Sequence, residues 1–302
     1  MPDDYDVAVI GGGPAGLSAA ITLSRARRRV VVFDHNKPRN YASRGVRCFL
    51  GLDGVTPAEL RAKGRREAEH YGATFVDREV DEAKCTSADD GAGSSFLVTA
   101  DHRKYSARAL LLATGMLDHL PKIPGLNEAY GATVHHCPYC DGYEHRDQTL
   151  VALGSGASGP RLGAELLAWS ARVTVCTNGE QPEDADLAML RRLGIAFRGQ
   201  AIERLDGDAR RLHFADGTSI ACEALFFSSG QAQKSRLPEL LGCVCNEKGL
   251  LATQGKQCTA IAGLYVAGDA DGDVQFAVVA AAEGAIAATA IHKHLLEQDH
   301  AN

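Results

Sequence analysis

A chain of 302 residues with 45% hydrophobic and 23% charged residues can form two packed cores, and its ordinary globular composition excludes the disordered and fibrous classes. Its 32 Lys and Arg against 38 Asp and Glu leave a formal charge of -6, which excludes a broad basic face for nucleic acid or an anionic membrane. The start, Met1-Pro2-Asp3-Asp4-Tyr5-Asp6, lacks signal-peptide order and no apolar run nears the roughly 20 residues of a membrane span, so a soluble, cytoplasmic protein is expected.

Val7-Ala8-Val9-Ile10 is an apolar run too short for a helix, and it leads straight into Gly11-Gly12-Gly13-Pro14-Ala15-Gly16. Small and apolar residues then recur at helical spacing to about Arg28, and a second strand, Val30-Val31-Val32-Phe33, ends in Asp34. Strand, glycine turn, helix, strand and acid form a dinucleotide-binding plan. The glycines let backbone approach a pyrophosphate at a helix N-terminus, and the acid holds a ribose hydroxyl. The alternative is a glycine turn of structural use only.

Asn36-Lys37-Pro38-Arg39-Asn40 through Leu52-Asp53-Gly54 reads as a long polar loop, of the kind usually kept for function. Thr56-Pro57-Ala58-Glu59 opens a helix with a capping box, and that helix runs to about Tyr71. Strands follow around Thr74–Val80 and Phe96–Thr99, separated by a Gly- and Ser-rich turn over Ala88–Ser95. Ala109-Leu110-Leu111-Leu112-Ala113-Thr114-Gly115 reads as a buried strand ending in small residues, where backbone passes close to a ligand. Leu117 to Leu126, with two prolines and a glycine, reads as a linker.

The chemistry is placed at His136-Cys137-Pro138-Tyr139-Cys140-Asp141-Gly142-Tyr143-Glu144. Two cysteines at this spacing can close a disulfide, and the acid after the second can supply or accept the proton that thiol exchange moves. Half a zinc site and an inert pair of thiols are the alternatives; no second Cys/His pair follows at zinc spacing, so no metal is expected. His136, with His135 beside it, is the candidate base, against a packing role for each. Of the nine cysteines, Cys85, Cys176, Cys222, Cys243, Cys245 and Cys258 are read as fillers, with Cys243 and Cys245 on one face of a strand.

The plan then repeats. Leu150-Val151-Ala152-Leu153-Gly154-Ser155-Gly156-Ala157-Ser158-Gly159 matches Val7 to Gly16 at an offset of 143, from Gly11 to Gly154. Ala224 to Gly230 echoes Ala109 to Gly115 at an offset of 115. Arg172-Val173-Thr174-Val175-Cys176 ends in Thr177-Asn178-Gly179-Glu180, with no arginine for the 2′-phosphate of NADPH; Arg191 and Arg192 are read as surface. The second pocket is therefore expected to be vestigial for NAD(P)H, with NADH held through Glu180 as the alternative. The final quarter carries a short strand, Gly263 to Ala267, ending in Gly268-Asp269, and Gln275-Phe276-Ala277 opens a helix to about Leu296.

On these motifs, in this order, the chain resembles the low-molecular-weight thioredoxin reductase family along nearly its whole length. The resemblance implies an α/β fold of two Rossmann-like domains of the three-layer ββα type, the second inserted in the first. It implies an FAD domain over 1–117 and 232–302, a pyridine-nucleotide-like domain over 118–231 carrying the disulfide, and a homodimer. By the same implication Cys140 is the flavin-side sulfur, Cys137 the sulfur exchanged with substrate, and Asp141 the acid/base. Gly11, Gly13, Pro14, Ala15 and Gly16 would hold pyrophosphate, Asp34 the adenosine ribose and Asp269 the ribityl chain. His35, Lys37, Arg39, Asn40 and Val80 would line the adenosine side, and Ala113, Thr114, Gly115, Gly268, Gln275, Phe276 and Ala277 the rest of the FAD site. NADPH-dependent members carry a His-Arg-Arg run where this chain has Thr177-Asn178-Gly179-Glu180. Cys-Pro-Tyr-Cys with Gly142-Tyr143-Glu144 instead resembles the branch that includes dithiol oxidases of disulfide-containing natural products, such as those for gliotoxin, holomycin and romidepsin. There a small dithiol reduces the cysteine pair, FAD takes the electrons, and molecular oxygen becomes peroxide. The alternatives carried forward are an NAD(P)H-dependent reductase of thioredoxin and a flavin-bearing redox sensor.

Overall fold

The computed structural model describes residues 3–87, 94–206, 210–272 and 274–301. The chain forms two compact units, one of Met1–Tyr41, Cys48–Leu117 and Gln231–Asn302, the other of Ala42–Arg47 and Asp118–Gly230. Relative to the division expected from the sequence, residues 42–47 join the inserted unit and Gln231 the first. The short loop is held there by close packing and charge: a Cβ on Gly131 would collide with the Ala42 carbonyl oxygen, and Arg47 Nε pairs with Glu144 Oε1 at 3.1 Å.

In the first unit β1 (Asp3–Ile10) passes through the glycine turn to α1 (Pro14–Arg25), then β2 (Val30–Phe33), α2 (Pro57–His70) and β3 (Thr74–Val76). The capping box forms as read, with Thr56 Oγ1 accepting from Glu59 N at 3.2 Å. The strand expected to reach Val80 stops at Val76, because Arg78 N turns back onto the Val76 carbonyl at 2.8 Å. β4 (Glu82–Ser87), which no apolar alternation announces, pairs antiparallel with β5 (Ser94–Ala100). The turn expected over Ala88–Ser95 lies, apart from Ser94 and Ser95, outside the described residues. β6 (Arg103–Leu112) begins before the apolar run, since its polar first half pairs with β5 while its second half pairs parallel with β1. β7 (Met116–Asp118) closes this pass.

In the inserted unit come α3 (Leu126–Ala129), β8 (Val134–His135), α4 (Pro138–Asp141), β9 (Leu150–Gly154), α5 (Ser158–Leu166), β10 (Val173–Cys176), α6 (Asp184–Leu193) and β11 (Ala196–Arg198). β12 (Ile202–Leu205), β13 (Arg211–Phe214) and β14 (Ser219–Ala221) form an antiparallel sheet, and β15 (Ala224–Ser228) rejoins the parallel one in the order β11-β10-β9-β15-β8. The chain returns to the first unit through β16 (Gln231–Gln233), which pairs with β7, then α7 (Leu237–Leu240), β17 (Leu264–Val266) and α8 (Ala277–Ala301). β17 adds to β6, completing a seven-stranded sheet of core order β3-β2-β1-β6-β5-β4.

Both units follow one packing rule. Successive strand residues face opposite sides of a sheet, so a strand buried on both faces is apolar at every position. In β1, Val7 and Val9 pack with α1 and α8 through Ala19, Leu23 and Ile291, while Ala8 and Ile10 pack with Phe96, Val98 and Tyr105 of the antiparallel strands. In β9, Leu150 and Ala152 face Leu162 and Leu166 of α5, while Val151 and Leu153 face Leu212 and Phe214 of the antiparallel sheet. Helices, parallel sheet and antiparallel strands give the expected three-layer plan twice. Among the described residues no helix is long and apolar enough to cross a membrane.

Candidate active site

In the first glycine turn, Gly11 holds φ +116°, and a Cβ there would collide with the Ala113 carbonyl oxygen; a Cβ on Gly16 would collide with the Gly11 carbonyl oxygen. These contacts draw the turn, the start of α1 and the end of β6 together. Gly13 faces open space, and α1, opened by Pro14, has no side-chain cap. Ala15 abuts the loop after β17, where Gly268 takes φ +86° and donates to Glu283 Oε2 at 2.7 Å.

The loop of residues 36–54 reaches the same region. Arg39 Nη1 meets Asp269 Oδ2 at 2.8 Å and also Gln275 Oε1. Lys234 Nζ donates to the Lys37 carbonyl, and His35 is pushed down by burial first and by Lys234 next. Asn40 lies half-buried in this loop, and Phe276 and Ala277 stand half-buried at the start of α8. The Val80 side chain packs into the core. Thr114 Oγ1, just before Gly115 with its φ of +68°, is buried with no hydrogen-bond partner among the described residues. An uncapped helix start, an open glycine surface, an orphaned hydroxyl and an acid at the end of β2 fit the pyrophosphate, polar chain and ribose of FAD. Sequence reading missed Arg61, whose Nη2 meets Asp34 Oδ2 at 2.6 Å, and Glu283. The available signal for Arg61 was a charge on the packed stripe of α2.

The cysteines are joined as a disulfide, Cys137–Cys140, with Cα atoms 5.3 Å apart. Cys137 is the N-cap of α4, Pro138 takes the first helical position, and Cys140 N donates to Cys137 Sγ at 3.1 Å. Proline suits that position because its missing N–H is not needed there. Gly142 ends the helix in helical conformation, its N–H on the Pro138 carbonyl at 2.7 Å, and a Cβ there would lie 2.5 Å from that oxygen and 2.8 Å from Trp169 Cδ2. Tyr139 stands edge-on to Trp169 with ring centroids 5.4 Å apart. Tyr139 and Tyr143 remain 58% and 64% exposed near the disulfide in sequence, with the Arg146 guanidinium 4.3 Å from the Tyr143 ring centroid.

Asp141 is joined to His135 rather than to His136. His135 Nδ1 faces Asp141 Oδ2 at 3.4 Å, and the ring is buried against Phe226. His136, favoured as the base from the sequence, has Nδ1 3.0 Å from the Tyr130 hydroxyl. Beyond His135 lies His145, Nε2 to Nε2 at 2.9 Å, and His145 Nδ1 meets Gln148 Oε1 at 2.8 Å. The bonding pattern bears on the His145 tautomer. An amide oxygen at His145 Nδ1 requires N–H there, and burial, the largest influence on His145, disfavours its charged form, which leaves Nε2 as the acceptor toward His135. His135 Nδ1 and Asp141 Oδ2 thus face each other, with Asp141 next in sequence to Cys140. His145 carried no spacing signal, because it lies in a loop rather than on the helix.

The second glycine turn is formed as the first is: a Cβ on Gly159 would lie 2.5 Å from the Gly154 carbonyl oxygen, Gly156 faces open space, and α5 has no side-chain cap. At the end of β10, Thr177 Oγ1 donates to the Glu180 carbonyl, Asn178 Oδ1 accepts from Ile202 N at 2.7 Å, and Glu180 is exposed. One arginine does reach this edge, against the expectation of none. Arg198 of β11 stands opposite Cys176 and acts on both Cys176 and Asp216.

A family profile described as pyridine nucleotide-disulphide oxidoreductase matches residues 5–284. The chain is 34% identical to a probable thioredoxin reductase of Arthroderma benhamiae, over 89% of this chain and 74% of that protein. It is 32% identical to thioredoxin reductase tcpT of Claviceps purpurea, over 87% of this chain and 86% of that one. Among solved structures it superimposes on HlmI with a TM-score of 0.94 at 34% identity, covering 99% of this chain and 94% of that chain.

Proposed function

We propose, from the premise that the chain belongs to the pyridine nucleotide-disulphide oxidoreductase family, that it is an FAD-dependent oxidase that closes an intramolecular disulfide in a small-molecule dithiol. The observation that carries this reading is the end of β10, where a tight turn ending in exposed Glu180 occupies the ground on which a 2′-phosphate needs arginines. The disulfide is complete, and Asp141, the residue after it, faces His135.

A substrate thiolate attacks Cys137 Sγ, the Cys137–Cys140 bond breaks, and Cys140 leaves as thiolate. The second substrate thiol attacks the substrate sulfur of the mixed disulfide, closing the product and expelling Cys137 as thiolate, which the Cys140 N–H stabilises. Asp141 and His135 exchange the protons released by the two substrate thiols, and His145 and Gln148 hold the tautomer. The exposed rings of Tyr139 and Tyr143 supply the apolar contact for a small substrate. FAD, when bound, supplies the two-electron acceptor that restores the disulfide and passes the electrons to oxygen, giving hydrogen peroxide. A homodimer belongs to the same proposal.

The second reading is an NAD(P)H-dependent disulfide reductase, favoured by the intact backbone of the second glycine turn and by Arg198. Anaerobic mixing separates the two. Dithiothreitol as the dithiol probe should bleach the flavin, and admitting air should yield one peroxide per dithiol consumed, while NADPH and NADH leave the flavin yellow. Rapid bleaching by either nicotinamide, with reduction of thioredoxin, would establish the reductase instead.

A further inference from the structure

Helix α2 packs on α1 through a stripe at helical spacing: Pro57, Arg61, Gly64 and Ala68. Pro57 and Ala68 are buried, and a Cβ on Gly64 would stand 3.0 Å from Leu17 Cδ1, so the two helices meet closely. A charge on such a face is costly unless it is paired. Arg61 is paired twice, through Nη2 with Asp34 Oδ2 at 2.6 Å and through Nε with the Gly12 carbonyl at 3.3 Å. The Arg61 and Asp34 side chains are only 16% and 17% exposed.

Both partners lie in the first glycine turn and its acid. Asp34 Oδ1 accepts from Asn36 N at 3.1 Å while Oδ2 accepts from Arg61, so both carboxylate oxygens are held. Gly12 packs against that same carboxylate, since a Cβ on it would lie 2.5 Å from Asp34 Oδ2. A pyrophosphate brings further negative charge to this turn, and Arg61 is a cation already hydrogen-bonded there, with Lys234 also acting on Asp34. Only a planar guanidinium serves a carboxylate and a carbonyl at once from one rigid fork; an ammonium is a point charge.

We propose that Arg61 is a positioning residue for FAD. Through Asp34 it orients the acceptor for the adenosine ribose hydroxyls, and through Gly12 it ties α2 to the phosphate-binding turn. The inference rests on FAD occupying the first glycine turn and is independent of the direction of electron flow.

The test is FAD affinity of the apoprotein, followed by flavin fluorescence, for the wild type, Arg61→Lys, Arg61→Met, Asp34→Asn and the double variant Arg61→Met/Asp34→Asn, with apoprotein unfolding recorded alongside. Loss of a charged hydrogen bond predicts FAD binding weakened roughly 10- to 100-fold in Arg61→Met and less in Arg61→Lys. Because one arm of Arg61 acts through Asp34 and the other through Gly12, the loss in the double variant should fall well short of the product of the two single losses. FAD affinity of Arg61→Met within about twofold of the wild type, or losses that multiply in the double variant, would overturn the proposal. So would a drop in apoprotein stability alone, which assigns Arg61 to helix packing. Where Arg61→Met does not fold, Arg61→Lys decides: weaker FAD with unchanged apoprotein unfolding supports the role, and unchanged affinity removes it. A wild type that takes up no FAD overturns the cofactor itself and the proposal with it, a result distinct from a failure confined to the Arg61 variants.

Discussion

Asp271 lies in the loop after Gly268-Asp269 with Gln257 Nε2 donating to Oδ2 at 2.8 Å and Oδ1 buried without a partner among the described residues. Burial, with Glu283 adding, pushes its carboxyl up to about 7. The folded chain therefore holds this proton more tightly than the unfolded chain, whose carboxyl titrates near 3.9. The stability contribution of Asp271 is fullest below that lower value, falls as pH rises, and levels off above about 7. Asp271→Asn removes the buried charge but keeps an acceptor for Gln257. With FAD saturating, its Tm gain over the wild type should be several degrees larger near pH 8 than near pH 5; a gain that does not vary with pH refutes this account. The free cysteines behave differently from one another. Burial pushes the Cys176 and Cys222 thiols up to about 12 and Cys243 up to about 11, so these are inert fillers as read. Cys85 and Cys245 are exposed, and Cys245 makes one isolated bridge to Leu251 rather than sharing a strand face with Cys243.

At the scale of elements, the close approach of α8 to α1 is set by Gly284, where a Cβ would collide with the Ala15 carbonyl oxygen. Backbone cannot yield there, so Gly284→Ala should cost about 3 kcal/mol and lower Tm by roughly 6–12 °C. Gly64→Ala is the control. Its Cβ would meet the Leu17 side chain, tightest at the movable Cδ1 at 3.0 Å, and alanine favours helix, so its stability should change by less than about 1 kcal/mol. Equal losses in the two variants, measured by thermal unfolding, would contradict the packing account. What was legible beforehand divides along the same line. The first glycine turn, Asp34 and the Thr56 capping box are local chemistry, fixed by spacing within a few residues. The Arg39 to Asp269 pair joins residues 230 apart, and the Asp141 to His135 to His145 chain depends on where β8 ends and a loop returns; neither leaves a periodic trace. The longer reach of β6 was hidden because its first half is polar and half-exposed.

For the whole molecule, the two internal echoes at offsets of 143 and 115 mark two copies of one three-layer plan, and the structure realises both with β1 matching β9 and β6 matching β15. Each unit buries its own pair of apolar clusters, so the chain should not unfold as one two-state body. Calorimetry should resolve two transitions, and free FAD at about 100 times its Kd should stabilise only one, by about 2.7 kcal/mol. A single transition, or an equal shift of both, would show the units to be thermodynamically fused. Across all 302 residues there is one tryptophan, Trp169, wedged against Gly142 and Tyr139 of the cysteine turn. Ultraviolet excitation at the red edge of the protein band therefore lights a single indole at the very place where sulfur bonds are made and broken, and the chain carries its own lamp for watching them.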